Sequence, residues 1–557
     1  EHLRHRGPDD GGMASDETED FRVVLGHTRL AILDLSIQGH QPMVSPDGNL
    51  ILSYNGEVYN HLECRQTLMR RGYSFKSTSD TETVLAAWQE WGADCLQRLE
   101  GIFAFAVFDK KKRQLLLARD AFGVKPLYIH HSGRGFTFAS EIQALRDLCP
   151  HLSEPNLSRV YAYLVAGDYD LGSETFIAGV QRVESGTVIT VDLSSSEIAL
   201  RASKWFYPSV LQSNFNSLES NASRTYEILA RNVKQQLQSD VPLAVTLSGG
   251  IDSSSLVALA SNAMDGEPVH TFSFVDDRSQ QSDRLWIELA NASLPTVSHQ
   301  VHIKRGDLAR DLDQLVIAQG EPFSSTSIYA QFRVYQAIKE HGFTVTLDGQ
   351  GADEVFAGYA GFPDMVVQSL IDRGMFHRIP LFLYQWGRWP NRSTKGLLKS
   401  MLGKAAPFLT RGRESAATPF IGVLEVEAGS DEVADRPASG RRLMQHLRFL
   451  QTREGMGSLL RQNDRSSMHW SVESRVPFLS TELSTFVLSL PEEQLVGADG
   501  ETKLLLRQAM RGVLPAQIVN RRDKIGFGDL DRLWLQDAAT DLISSLDGLR
   551  GLPFVDV

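Results

Sequence analysis

Residues 245–256 read VTLSGGIDSSSL. A β-branched run stops at Ser248, Gly249 and Gly250, then Asp252, Ser253 and Ser254 open a segment of helical spacing, IDSSSLVALASNA. The run 241–247, VPLAVTL, predicts a buried strand. The glycines allow a tight turn whose backbone N–H groups approach a ligand closely. A helix that starts just after them presents unpaired N–H groups and the positive end of its dipole. Serine hydroxyls add donors, and Asp252 adds a ligand for a divalent cation. The pattern predicts a phosphate or pyrophosphate site with magnesium; the plainer reading is a strand–turn–helix joint with Asp and Ser as caps. No Lys follows the glycines, so this is not a G-x-x-x-x-G-K-[ST] loop.

Outward from that turn, VHTFSFV (269–275) and FTVTLDG (343–349) repeat the short buried strand between helix-like segments. This alternation predicts a doubly wound parallel sheet. TLDGQGADEVFAGY (346–359) again ends a strand in glycines and acids, and Asp353 is a second candidate metal ligand. Ligands bind outside the carboxyl ends of such strands. Before residue 200 the texture differs: short β runs at 21–35 and 49–60, a hairpin of 103–109 and 114–120 across KKKR, and one helix expected over 81–99. These predict stacked, mostly antiparallel sheets. The Ser- and Asn-rich stretch 206–222 reads as a linker. The expected division is 1–205, linker 206–222, and 223–557 with an insertion near 371–440 that mixes basic and aromatic residues.

A chain of 557 residues is too long for one core, and 42% apolar content supports large interiors. A formal charge of −12 argues against a nucleic-acid partner. No apolar run is long enough for a membrane span, and no signal peptide is visible. Cys64, Cys95 and Cys149 form neither a metal spacing nor an even framework, so a reducing, cytoplasmic setting is expected. The first residue is Glu1, inside a turn-like HRGPDDGG, and this reads as a start downstream of the natural one.

SGGIDSS is similar to the PP-loop of ATP pyrophosphatases. With LDGQGADE, LLRQNDRSSM (459–468), VESRVPFLS (472–480), TKLLLRQAM (502–510) and DKIGF (523–527), it resembles the glutamine-dependent asparagine synthetases, in their order. The first half resembles them too, through RHRGPDD (4–10), HTRLAILD (27–34), YNGEVYNH (54–61), TSDTETVL (78–85), GIFAFAVFD (101–109) and RDAFGVKPLY (119–128). The likeness is greatest to the longer bacterial members.

The resemblance implies an N-terminal-nucleophile glutaminase, an αββα sandwich, joined to an ATP-dependent synthetase, with ammonia passing between them. It places Arg29 on the glutamine carboxylate, Asn55 and Gly56 in the oxyanion hole, and Glu57 and Asp80 around the α-amine. The family's cysteine nucleophile is expected before HRGPDD; the three cysteines present read as packed thiols. Thr246, Phe274 and Gly349 fall where the family lines the nucleoside, with Gln350 beside them. Ser248, Gly249, Gly250, Asp252, Ser253 and Ser254 fall on the pyrophosphate, Asp252 and Asp353 on magnesium, and Lys503 on the phosphates and intermediate. Arg475 and Lys524 are further candidate phosphate or acceptor contacts. Gln350 stands where many members have Glu, and an amide is no proton acceptor. Ser480 stands where many have Asp, and GLPFVDV ends short of the usual last helical segment.

The expected reaction is adenylation of a carboxylate by Mg-ATP, then amide formation. Aspartate is the default acceptor; diaminopimelate, a uronate or an antibiotic precursor are alternatives. The rival enzyme resembles β-lactam synthetase, a cyclase with no glutaminase activity, and the rival outside catalysis is a binding pseudo-enzyme. The partners expected are glutamine, ATP and the acceptor, and a homodimer is compatible with the resemblance.

Overall fold

The computed structural model describes residues 1–18, 20–133, 135–167, 172–276, 283–323, 325–359, 361–389, 440–453, 455–522, 528–539 and 543. Most of the expected insertion, and the DKIGF segment with Lys524, lie outside the described residues.

The sequence GIFAFAVFD explains the first half. It forms the strand Gly101–Asp109, which is apolar on both faces. Phe103, Phe105 and Val107 pack towards the helices His61–Met69 and Asp80–Trp91, where Trp88 meets Phe105 edge-on at 5.6 Å. Ala104, Ala106 and Phe108 face the other way, onto Val23, Leu25, Leu127 and Ile129. Period-two alternation with both faces apolar requires cover on both sides. The strand therefore sits inside a six-stranded antiparallel sheet ordered Ala199–Lys204, Thr187–Asp192, Gln114–Arg119, Gly101–Asp109, Leu50–Val58 and Met43–Val44. A second layer holds the hairpin Asp10–Glu17/Arg22–Arg29 and a small sheet of Phe136–Ala139, Tyr128–His131 and Gln181–Arg182. The helix Ile142–Leu148 closes the outer side through Ile142 and Leu145. Helix, sheet, sheet, helix is the expected sandwich.

The helix expected over 81–99 is shorter. It runs Asp80–Trp91, capped by the Ser79 side chain, and stops because Gly92 takes φ 57°; a 3-10 turn, Gly92–Gln97, follows. The stretch 206–222, expected as a linker, is in part packed against the second half. Its last residues start the helix Leu218–Gln236, capped by Ser217, and Val210 is buried. The Ser213 and Asn214 amides donate to the Ser489 carbonyl at 3.2 and 3.3 Å. Ser and Asn are frequent there because they cap and turn the chain.

The second half is built on a five-stranded parallel sheet ordered Thr296–His302, Val269–Val275, Leu243–Thr246, Val345–Leu347 and Glu473–Arg475. Val245 and Leu347 face a core shared with the helices Leu218–Gln236 and Ile251–Ala263; Ala244 and Phe272 face the helix Ser327–Glu340. In chain order the strands run outward from Leu243–Thr246 in one direction, and then the chain returns to add Val345–Leu347 on its other side. The order reverses between those two neighbours, so a crevice opens at their carboxyl ends. The two halves share one core at the seam, where Tyr59, Ile102, Phe122 and Val124 join the second half's cluster.

Candidate active site

Both loops singled out in the sequence border that crevice. After Leu243–Thr246 the chain turns at Gly249 (φ 73°), where a Cβ would come 2.7 Å from the Trp286 Cβ. The helix Ile251–Ala263 follows with Gly250 as N-cap and no side-chain cap. Its first-turn N–H groups thus have no capping acceptor of the kind Ser79 and Ser217 supply elsewhere. Ser248 is exposed; its amide donates to Ser253 Oγ at 3.1 Å, and Ser253 Oγ donates to the Gly250 carbonyl. The second loop follows Val345–Leu347. Gly349 brings it against the first, since a Cβ there would touch the Asp252 Cβ at 3.5 Å.

Lys503 joins the two. Its Nζ lies 2.7 and 2.6 Å from the Asp252 carboxylate oxygens and 2.8 Å from Asp353 Oδ1. Lys503 is 4% exposed. Burial opposes its charge, but the two carboxylates outweigh burial and hold its pKa above the ordinary lysine value. Its backbone is left-handed, φ 56°, at the N-cap of the helix Leu504–Ala509.

Thr246 donates to the Leu347 carbonyl at 3.3 Å, across the two strands that flank the crevice. Half-buried Phe274 packs edge-on against Trp534 at 5.7 Å. Gln350 is half-buried, and its amide is fixed by Asp348 Oδ1 at 3.0 Å.

Two expectations need correction. Ser254 is 0% exposed, because it lies on the face of its helix turned into the core, and so it is removed from any surface a phosphate would touch. Arg475, expected at a phosphate or the acceptor, is also 0% exposed. Its guanidinium is enclosed by Glu473, Glu57 and two main-chain carbonyls at the seam between the halves.

Sequence reasoning missed Gly358 and Arg521. A Cβ at Gly358 would fall 1.7 Å from Asp353 Oδ1 and 2.1 Å from Lys503 Cε, so only glycine leaves room for that pair. Arg521 donates to the Gly249 carbonyl at 3.1 Å and stacks over Trp286, 4.6 Å from its ring centre. Gly358 stands in the quoted stretch 346–359, and the glycine itself was the available signal; Arg521 carried none.

In the first half, Asn55 and Gly56 lie on Leu50–Val58, with Gly56 at φ 153° facing Phe103. A Cβ at Gly56 would come 2.1 Å from the Ile102 carbonyl oxygen. Half-buried Asn55 reaches towards Ser140 Oγ at 3.4 Å. Arg29 holds the loop beside this strand, donating to the carbonyls of Ser36 at 2.9 Å, Leu33 at 3.2 Å, and Asp34. Glu57 and Asp80, expected around an α-amine, are each 4% exposed. Asp80 is turned under the strand, where it accepts from the Tyr54 hydroxyl at 2.6 Å and the Val58 amide at 2.9 Å. Glu57 is turned to the seam. Burial pushes its carboxyl well above the usual range, Asp80 adds to the shift, and Arg475 offsets only part of it. Cys64 and Cys95 are buried, and burial pushes the Cys64 thiol up to about 11.

A glutamine amidotransferase domain model matches residues 1–205, and an asparagine synthase model matches 224–556. The chain belongs to the asparagine synthase family. Asparagine synthetase [glutamine-hydrolyzing] 3 of Bacillus subtilis is 31% identical to it over 93% of this chain and 82% of that protein. A putative asparagine synthetase of Mycobacterium bovis is 31% identical over 96% and 84%. Asparagine synthetase B of Escherichia coli is 28% identical over 95% and 79%. The glutamine amidotransferase and asparagine synthase domains together make the chain a glutamine-dependent amide ligase. No helix among the described residues is long and apolar enough to cross a membrane.

Proposed function

We propose that this asparagine synthase family member adenylates a carboxylate, aspartate by default, and converts it to the amide with ammonia from glutamine. The observation that carries this reading is the single buried ammonium of Lys503 spanning Asp252 and Asp353 across the crevice. A polyanion in that crevice would meet the uncapped start of Ile251–Ala263, the Ser248–Gly250 turn and a cation already poised between two loops.

The acceptor carboxylate oxygen attacks the α-phosphorus of ATP, the bond to the bridging oxygen breaks, and pyrophosphate leaves. Ammonia then attacks the acyl carbon, the acyl–oxygen bond breaks, AMP leaves, and the attacking nitrogen gives one proton to solvent to leave the amide. Ser248, Gly249, Gly250 and Ser253 bind the pyrophosphate portion, and Thr246, Phe274, Gly349 and Gln350 border the nucleoside. Lys503 neutralises charge that develops on the phosphates. No cluster of three or more metal-ligating side chains occurs among the described residues. Magnesium needs only one or two carboxylates beside phosphate oxygens and water, so the chemistry of Asp252 and Asp353 fits it. When bound, magnesium would spread the charge of the leaving pyrophosphate.

Residues 1–205 are the proposed glutaminase, 206–222 its connection, and 223–557 the synthetase with an insertion near 371–440. Asn55 and Gly56 supply oxyanion donors there. Arg29, its guanidinium already oriented by three carbonyls, is the proposed contact for the glutamine carboxylate. Glutamine, ATP and the acceptor are the proposed partners in a cytoplasmic setting, without nucleic acid or membrane; a homodimer is compatible with this reading.

The test is a panel of carboxylic acids with Mg-ATP and ammonium, scored for AMP and pyrophosphate. Aspartate should give both in equal amounts. If no acid on the panel releases pyrophosphate, the ligase assignment of this crevice is lost.

A further inference from the structure

We infer that Arg475 is a positioning residue that couples the glutaminase site to the synthetase site; this rests on the function proposed above. Arg475 belongs to the three-residue strand Glu473–Arg475, at the edge of the parallel sheet. Its two ends do different things. Its main-chain carbonyl accepts from the Asp348 amide at 2.8 Å, and it pairs in register with Leu347. Asp348 opens the loop that leads through Gly349 and Gln350 to Asp353. Its guanidinium points the other way, out of the sheet and into the seam, where Nη2 lies 3.2 Å from Glu57 Oε2. Glu57 directly follows Asn55 and Gly56. One residue thus touches the loop of the metal-binding carboxylate with its backbone and the oxyanion strand with its side chain.

The fork is held firmly. Nη1 donates to the Gln236 and Gln238 carbonyls, both at 2.7 Å, and Nε donates to Glu473 Oε1 at 2.9 Å. Glu473 in turn meets Lys125 of the first half at 3.2 Å. Lys125 is 2% exposed, so this second bridge is also dry. Stability alone does not account for the arrangement. A buried ion pair contributes little over well-packed apolar residues, whereas its directionality fixes relative position. Glu57 Oε1 has no hydrogen-bond partner among the described residues, so this carboxylate is held through Oε2 and is free to answer a change in the guanidinium. A displacement of the 348–353 loop as the crevice fills would move the Arg475 carbonyl, and the rigid fork would carry it to the oxyanion strand. Such contiguous contacts are the physical form that site-to-site coupling takes.

The test uses the full-length protein and two assays: pyrophosphate released with ammonium, and glutamate formed per pyrophosphate with glutamine. In Arg475→Lys the charge stays and the fork is lost. Ammonium-driven pyrophosphate release should stay at the wild-type rate, while glutamate per pyrophosphate rises about fivefold, the low end of typical couplings. An unchanged ratio, or a parallel fall of both activities with a lowered melting temperature, overturns the inference. If Arg475→Lys does not fold, Glu473→Gln, which loosens the same fork with an equal-sized side chain, is read in the same way. A wild-type protein with no ammonium-driven pyrophosphate release would instead remove the function proposal, a separate failure seen before any variant is made.

Discussion

Lys503 and Asp353 form an ion pair of 2.8 Å, although they come from different elements far apart in the chain. The same ammonium holds Asp252. Lys503→Met should leave two carboxylates facing each other without their cation. Ammonium-driven pyrophosphate release is expected to fall by a factor on the order of 10² to 10³, as when a single preorganised charge-stabilising group is removed. Glutamine hydrolysis in the full-length protein should persist. Pyrophosphate release at wild-type rate would show that Lys503 has no part in the chemistry.

Gly358 gives a steric version of the same test. Gly358→Ala puts a carbon 1.7 Å from Asp353 Oδ1 and 2.1 Å from Lys503 Cε, so the pair must separate. Overpacking of this kind costs about 1–3 kcal/mol. Pyrophosphate release should drop with the far-ultraviolet circular dichroism unchanged. Gly361→Ala, where a Cβ meets nothing within 4 Å, is the matched control and should behave as wild type.

The seam has its own acid signature. Arg6 meets Asp464 at 2.8 Å and Glu141 at 2.9 Å, and Arg465 meets Glu141 at 2.8 Å. Burial opposes the charge on Glu141, but Arg465, His5 and Arg6 outweigh it and hold its pKa far below the ordinary glutamate value. A carboxylate depressed in the folded state binds fewer protons there than in the unfolded chain. Its stabilisation is therefore complete above the unfolded pKa and is lost as pH falls towards the folded one. Glu141→Gln should lower stability at pH 7 by about 3–5 kcal/mol, the usual loss when one partner of a buried pair is removed. The gap to wild type in urea melts should narrow steadily below about pH 4.5. A gap independent of pH would mean that charge is not what Glu141 contributes.

Thiol chemistry gives a further check on the first half. With the Cys64 thiol pushed up to about 11 by burial, its thiolate is scarce at pH 8. Cys95 is buried as well, and Cys149 is half-buried. Brief iodoacetamide treatment of the native protein should label Cys149 first, and Cys64 and Cys95 only after denaturation, as read by peptide mass spectrometry. Early labelling of Cys64 would contradict its packing between the helices and the six-stranded sheet.

Legibility in the sequence followed the physics of each element. VPLAVTL, VHTFSFV and FTVTLDG were readable because β-branched runs ended in glycine or acid. Thr296–His302 was not, since TVSHQVH mixes polar and apolar residues with no run. Glu473–Arg475 was least readable of all: three residues, ESR, two of them charged, form a fully buried strand because their charges are answered by Lys125, Glu57 and each other. The reach of the helix after Asp80 was overestimated because a single glycine with positive φ ended it. At the site, motif resemblance pointed to Asp252, Asp353 and Lys503 one by one, but not to the contact among them. Gly358 and Arg475 show the limit. What constrains a glycine is the atom across from it, and which way a guanidinium faces is decided by partners hundreds of residues away.

Lys503 adopts a conformation that glycine or asparagine would hold with less strain, φ 56°. Replacing it would relieve about 1–3 kcal/mol of strain but leave Asp252 and Asp353 without their cation, and removing one partner of a buried pair costs about 3–5 kcal/mol. Selection for heat resistance alone would therefore retain the lysine, so that an engineered lineage need not trade ligase turnover for robustness at this codon.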